Sequence, residues 1–320
     1  MNKLMYSAPL YFIAFLPTVI MLYQLCPQKF RKYILLLANY AFFYTWSKFF
    51  LVYQVITMVI TYVSSKIIDH TLNKKTKKFI LFLAIVINLG VLVILKYTNF
   101  LGENIFAIFH QPFTPVRLIA PIGISYYTLQ MISYLMDTSS GKIHSNHSIL
   151  DFAVYASFFP TLIQGPITRF NEIKDSILAC NPITYQNLKF GSQRILFGLM
   201  KKMIIADRLD PAVSKIFTSY TQDGLFSLIG AVLCTIQLYM DFSGIVDICL
   251  GSAEIFGIKL PENFRQPFFA ENASDFWRRW HITLGTFLRD YVFYPISLAK
   301  PTRRLSKFFT KHFGKAAGKF

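Results

Sequence analysis

The sequence predicts an all-α polytopic membrane protein, a multi-helix bundle interrupted by re-entrant or interfacial helices. Three observations carry that expectation. Of the 320 residues, 54% are apolar and 17% aromatic, with a mean hydropathy of +0.42. Only 15% are charged, where a soluble chain carries about a quarter. The apolar residues also fall into runs long enough to cross a bilayer, with basic clusters in the gaps between them.

The first run, roughly Ala8 to Leu25, reads as a retained membrane helix rather than a leader. It lacks a small-residue cleavage site and leads into Lys29, Arg31 and Lys32. Pro17 inside it is of the kind that membrane helices tolerate. Tyr33 to Ser65 is too long for one crossing and divides into two short helices at Trp46-Ser47-Lys48. That leaves an even number of crossings between Lys29-Arg31-Lys32 and Lys74-Lys75-Lys77-Lys78, so both basic clusters face the cytoplasm and the N-terminus lies outside. Phe79 to Tyr97, about 19 residues, is a clean span. Asn99 to Arg117, with Pro112 and Pro115, reads as an external loop.

Leu118 to Met136 follows as a further helix, then a polar loop over Asp137 to Ser148. Phe152 to Gln164 has about half the length of a span and ends in Gly165-Pro166, which predicts a half-membrane or re-entrant element enclosed by protein. Gly191 to Asp207 carries Lys201-Lys202 in an apolar pattern, as an interfacial or re-entrant helix would. Leu225 to Leu250 is long and apolar yet contains Asp241 and Asp247. Arg303, Lys307, Lys311, Lys315 and Lys319 recur every fourth position among phenylalanines and mark a basic amphipathic helix at the cytoplasmic face. The expected organisation is one membrane domain over 1–299 and an interface segment over 300–320.

The net charge of +17 belongs to this topology and to anionic lipid headgroups. No soluble basic face is present for nucleic acid, and none is expected as partner. The four cysteines lie far apart in apolar settings and read as buried hydrophobes. His144 and His147 have metal-compatible spacing without a third ligand, so no metal site is expected.

Two stretches carry the chemistry. Asp275 to Tyr291, D-F-W-R-R-W-H-I-T-L-G-T-F-L-R-D-Y, packs Trp277, Arg278, Arg279, Trp280 and His281 together. With Ser274 as cap, Trp277, His281, Leu284 and Leu288 share one helix face. An arginine at the bilayer centre costs about 2.5–3.5 kcal/mol, so Arg278 and Arg279 cannot both face lipid at depth. A headgroup-level anchor and a lined polar cavity both remain open, and His281 is the one histidine in a setting suited to proton transfer. Asp241 and Asp247 lack a cation in their own segment. Arg278, Arg279 and Arg289 are the expected partners, in an arrangement either structural or functional. Gly244 and Gly251 favour close helix approach there.

L-P-E-N-F-R-Q-P-F-F-A-E-N-A-S-D-F-W-R-R-W-H-I-T-L (260–284) followed by L-R-D-Y-V-F-Y-P resembles the signature of the membrane-bound O-acyltransferases, and within them the bacterial alginate O-acetylase branch. P-I-G-I-S-Y-Y-T-L-Q (121–130), F-F-P-T-L-I-Q-G-P-I-T-R-F (158–170), G-L-M-K-K-M-I-I-A-D-R-L (198–209) and Y-M-D-F-S-G-I-V-D-I (239–248) follow in the family's order. The resemblance implies a multi-pass enzyme of the cell membrane with a central funnel or tunnel. Acetyl-CoA or an acyl-carrier thioester would be the donor, with no bound cofactor, and an exported polysaccharide or other cell-envelope hydroxyl the acceptor. A partner acetyltransferase protein often completes the transfer. By the same resemblance His281 is the tunnel histidine, and Asp241, Trp277, Arg278, Arg279 and Trp280 line the path.

The resemblance also implies a second histidine in a further hydrophobic segment, usually the catalytic base. These 320 residues do not contain it, and His312 does not match it. Either the chain is truncated relative to the family or the protein is inactive alone, and truncation is the favoured expectation. Two other readings stand beside acetyl transfer: D-alanyl transfer to teichoic acid, and a non-catalytic scaffold or transporter.

Overall fold

A computed structural model describes residues 6–46, 48–118, 123–218 and 224–313. They fall into two units, Met1–Pro261 and Glu262–Phe320. Among the described residues the regular structure is helical, with one isolated bridge and no strand. Leu51–His70, Lys74–Ile108 and Gly224–Ile255 are long and apolar enough to cross a membrane.

The first unit opens with a π turn, Tyr11–Phe15, running into α1, Leu16–Leu25. Pro17 explains the turn: it has no N–H to offer and its ring crowds the carbonyl one turn back, so the ladder widens just before it. Helix α2, Gln28–Trp46, starts ahead of its apolar run. Arg31 makes this possible, because its guanidinium donates to the Tyr23, Cys26 and Cys180 carbonyls at 3.1–3.2 Å. A cation read as a cytoplasmic flag is also a buried staple. Helix α3 runs Lys48–His70; Ser47, in the middle of the expected break, lies outside the described residues. Both helices are longer than expected.

Helix α4, Lys74–Ile108, runs well past the expected span and absorbs the first part of the expected external loop. Nothing before Pro112 forbids helix, so it continues until the prolines end it. Asn99 then ties the returning chain through two hydrogen bonds with Val116 at 2.9 and 3.0 Å.

Helix α5, Ile124–Ser139, is buried along most of its length; its expected beginning at 119–122 lies outside the described residues. Gly123 caps it in the left-handed region (φ 86°), where a Cβ would sit 2.5 Å from the Leu162 carbonyl oxygen. Helix α6, Ile149–Ser157, starts three residues before the expected half-span and stops seven residues short of its expected end at Gln164. The irregular chain after it, Phe158 to Thr168, is buried almost throughout. Its backbone polar groups therefore need partners from other elements. Asn39 accepts from Phe159 N (2.9 Å), Tyr155 donates to Thr168 O (3.0 Å), and Tyr6 donates to Phe159 O. Tyr6, Tyr11, Phe15, Phe42 and Phe159 stack around this turn as the aromatic centre of the core.

A short amphipathic helix that the sequence reading did not assign, α7 (Phe170–Ala179), leads to α8, Tyr185–Leu199. A π turn, Met200–Ala206, joins α8 to α9, Asp207–Thr218, so the chain is helical from Tyr185 to Thr218. The segment expected to be a separate interfacial or re-entrant piece is thus part of a longer helical run. That run packs antiparallel along α10, Gly224–Ile255.

Four glycines explain the contact. A Cβ on Gly191 would meet the Gly251 oxygen at 2.6 Å, and one on Gly251 the Gly191 oxygen at 2.5 Å. Gly198 and Gly244 repeat the arrangement at 2.5 and 2.8 Å. Backbone therefore lies on backbone at two places, as small-residue seams in membrane helices allow.

The second unit holds a 3-10 turn, Pro267–Phe269, and then α11, Ala273–Arg279, and α12, Ile282–Phe287. A π turn, Leu288–Phe293, leads into α13, Tyr294–Ser297, and the basic amphipathic α14 spans Lys300–Phe313. Residues 314–320 of the expected amphipathic helix lie outside the described residues.

Gly251→Ala should lower the detergent-solubilised melting temperature by several degrees, an overpacking cost of about 1–3 kcal/mol. Gly90→Ala, on α4 with open space at its Cβ, should leave it unchanged or slightly raised. Equal effects would remove the glycine seam as the reason α8 and α10 meet.

Candidate active site

In the second unit, the stretch read as a single helix is broken at its centre. Trp280 is extended (φ −100°, ψ 125°) and His281 is left-handed (φ 47°, ψ 52°). Such a conformation costs a non-glycine residue about 1–2 kcal/mol, so something must hold it. The holder is the segment just after Pro261. Arg265 N donates to Arg279 O (3.0 Å) and Ile282 N to Asn263 O (2.9 Å), flanking the bridge between Phe264 and Trp280.

Asn263, fully buried, acts as a remote cap for α12. Its Oδ1 accepts from Thr283 N (3.1 Å) and Thr283 Oγ1 (2.9 Å), and lies 3.1 Å from His281 Nδ1. The shared helix face expected for Trp277, His281, Leu284 and Leu288 is therefore absent, because a tertiary strand-like contact overrides the helical period. The expected Ser274 cap is corrected too. Asn272 accepts from Asp275 N at 2.9 Å and begins the helix two residues earlier.

The remaining motif residues divide by environment. Trp280 stacks on Phe276 (5.6 Å, 17°) and takes the edge of Phe264 (5.1 Å), forming an aromatic wall. Trp277 and Arg278 are exposed. Arg279 pairs with Asp275 at 2.9 Å, and that hydrogen bond holds the Asp275 carboxyl below its usual range. His281 is half-buried, and burial pushes its imidazole from 6.5 to about 4. It therefore stays neutral at ordinary pH.

Asp241 and Asp247, in the first unit, have other partners than Arg278, Arg279 and Arg289. Asp247 lies 2.7 Å from Arg194 Nε and 2.6 Å from Lys201 Nζ. Asp241 lies 2.6 Å from Lys202 Nζ, which also reaches Asp207 at 2.6 Å. Arg279 turns to Asp275, and Arg289 to its neighbour Asp290 at 2.7 Å. The signal was present in the spacing. Gly191 and Gly198 are each followed three residues later by a cation, Arg194 and Lys201, and Gly244 three residues later by Asp247. One seam carries both the close approach and the ion pairs.

His147 meets Tyr134 Oη at 2.8 Å and stacks on Phe170, while His144 lies 3.4 Å from Asp69. Neither histidine is near a third ligand among the described residues. The sequence reading missed Asn263, whose only signal was its place in the motif.

The membrane-bound O-acyltransferase family model matches residues 124–312. The chain belongs to the membrane-bound O-acyltransferase family. It is 35% identical over 297 residues to a probable alginate O-acetylase of Pseudomonas aeruginosa, covering 91% of this chain and 56% of that protein. A peptidoglycan O-acetyltransferase of Helicobacter pylori is 34% identical over 333 residues, covering 92% of this chain and 62% of that protein. A teichoic acid D-alanyltransferase of Bacillus subtilis is 33% identical over 187 residues, covering 58% of this chain. The chain spans between about half and two thirds of the length of these O-acetylating relatives. As a member of this family it is an all-α membrane protein.

Two measurements check the electrostatics. Lys201→Met strips Asp247 of one of its two cations and should cost about 3 kcal/mol of stability. Adding Asp247→Asn should recover most of that loss, and a double variant no more stable than the single one would refute the pairing. In histidine-labelled protein, the His281 ring signals should keep their neutral positions from pH 8 down through 6.5 and titrate at about 4. Its folded value is depressed, so the fold binds fewer protons than the unfolded chain in that window. Stability should therefore fall as pH drops from 6.5 toward 4.

Proposed function

We propose that this protein takes part in moving an acetyl group from a thioester, acetyl-CoA or an acyl carrier, to hydroxyls of an exported cell-envelope polysaccharide. The observation that carries this reading is a neutral, half-buried His281 held in a strained left-handed position inside the family's motif. Strained backbone and perturbed imidazoles cluster at sites of chemistry. The chemistry asks for such a group. The acceptor hydroxyl attacks the thioester carbonyl, the C–S bond breaks as the ester C–O bond forms, and the hydroxyl proton ends on the departing thiol. A desolvated imidazole can receive the hydrogen bond of that hydroxyl and share its proton.

In this reading His281 meets the reacting groups, and Trp280 with Phe276 shields them from water. Arg278 and Arg279 supply positive charge near the developing oxyanion, with Trp277 along the acceptor's path. Asp241, which pairs with Lys202, is assigned to the path by the family resemblance alone. The second histidine implied by the family resemblance would complete proton transfer, and a partner acetyltransferase could carry the acetyl group onward. The setting is the cell membrane, crossed several times around a central funnel or tunnel. The division at residue 299 is one of membrane placement, with 300–320 lying on anionic lipid headgroups at the cytoplasmic face.

Acetyl transfer is preferred to D-alanyl transfer on one observation. The two O-acetylating relatives align with 91–92% of the chain, against 58% for the D-alanylating one.

The test uses the protein at its natural length in its own membrane. His281→Ala should lower polysaccharide acetylation at least about 100-fold with unchanged protein level. Full activity in that variant would remove His281 from the reaction. Incorporation of labelled D-alanine in place of acetyl would favour the alternative transfer.

A further inference from the structure

We infer that Asn263 is a positioning residue for acyl transfer: its carboxamide fixes His281 as the Nδ1–H tautomer and presents Nε2 to the acceptor hydroxyl. The inference rests on the role proposed above for His281 and adds which nitrogen acts and what selects it.

The chain of constraint begins with a main-chain group. Thr283 N–H can only donate, and it points at a carboxamide atom of Asn263 3.1 Å away. That atom must be the oxygen, so hydrogen-bond chemistry settles the orientation of the amide. Thr283 Oγ1 donates to the same oxygen at 2.9 Å. His281 Nδ1 is the third group on it, at 3.1 Å. A carboxamide oxygen only accepts, so Nδ1 must carry a hydrogen. A neutral imidazole carries just one, which leaves the lone pair on Nε2. The left-handed backbone of His281 is what brings Nδ1 round to Asn263, since α12 starts at the next residue under the same cap.

Why a carboxamide stands there is a question of charge. A carboxylate would accept the same three donors, but its charge would stabilise the imidazolium and fill the Nε2 lone pair with a proton. Asparagine holds the tautomer without that effect. It does so at a cost, because its buried Nδ2 has no hydrogen-bond partner among the described residues. A residue serving only as a helix cap need not carry an unsatisfied donor.

The charged side chains on the surrounding segments are Glu262 and Arg265 beside Asn263, Asp275, Arg278 and Arg279 on α11, and Arg289 and Asp290 after α12. Burial alone accounts for the depressed imidazole.

Nitrogen NMR of ¹⁵N-histidine-labelled, natural-length protein reads the tautomer directly, with the His281 signals assigned by their loss in His281→Gln. A protonated Nδ1 and an unprotonated Nε2 are expected; the opposite tautomer, or an even mixture, overturns the proposal. Asn263→Asp keeps the acceptor and should move the acid limb of acetyl transfer to higher pH, retaining activity within about 10-fold on the alkaline side. Asn263→Ala should lower kcat about 10²–10⁴-fold with little change in donor KM. A merely structural role predicts that both variants lose activity equally at every pH, with the limb unmoved. If His281→Ala keeps full activity, the reaction assigned to His281 fails, whereas the tautomer is still read by NMR.

Discussion

Asp247 sits deep in a long apolar helix, and everything around it answers to the need to neutralise that carboxylate. Water cannot reach it freely, and a lone charge in such surroundings would take up a proton or unfold the segment. Arg194 and Lys201 supply the compensation only because α8 runs within backbone contact of α10. The paired glycines make that distance possible, and the ion pairs make a particular register favourable. Remove the glycines and the cations stand too far away; remove the carboxylates and the helices could slide.

The second unit solves a different problem with the same economy. In the reading proposed above, His281 is held neutral and in one tautomer. The chain spends a left-handed residue and a buried asparagine on it, both unfavourable by themselves. The aromatic stack of Phe264, Phe276 and Trp280 supplies the packing that makes both tolerable.

Much of this was legible in the residues, because bilayer thickness imposes lengths that apolar runs reveal. The long apolar run over Leu225 to Leu250 and the basic amphipathic helix after residue 300 are readable in composition and spacing, whereas the half-length element expected to reach Gln164 is helical only as far as Ser157. What the residues concealed was tertiary. Helix α4 outran its apolar core because Asn99 to Ile108 can be helical even where it is polar. The D-F-W-R-R-W-H stretch has a clean helical period, yet the Asn263 segment breaks it. Arg278 and Arg279 form an adjacent cationic pair within the motif, yet Asp241 and Asp247 pair with the cations of 191–207, where a seven-residue glycine spacing matches that of their own helix.

The π turn at Met200–Ala206 has a consequence for the gene. A π turn holds one residue more than the α-helical ladder it interrupts, and each α-helical residue rotates the chain by about 100°. The extra residue lets adjacent lysines serve two carboxylates, Lys201 reaching Asp247 and Lys202 reaching Asp241. Loss of a single codon between Gly198 and Asp207 would restore regular helix and swing Lys202 and all of α9 away from their partners. Many substitutions in that stretch would do less damage. Reading-frame-preserving insertions and deletions should therefore be rarer here than residue changes, so that chain length, more than chemistry, is the inherited quantity.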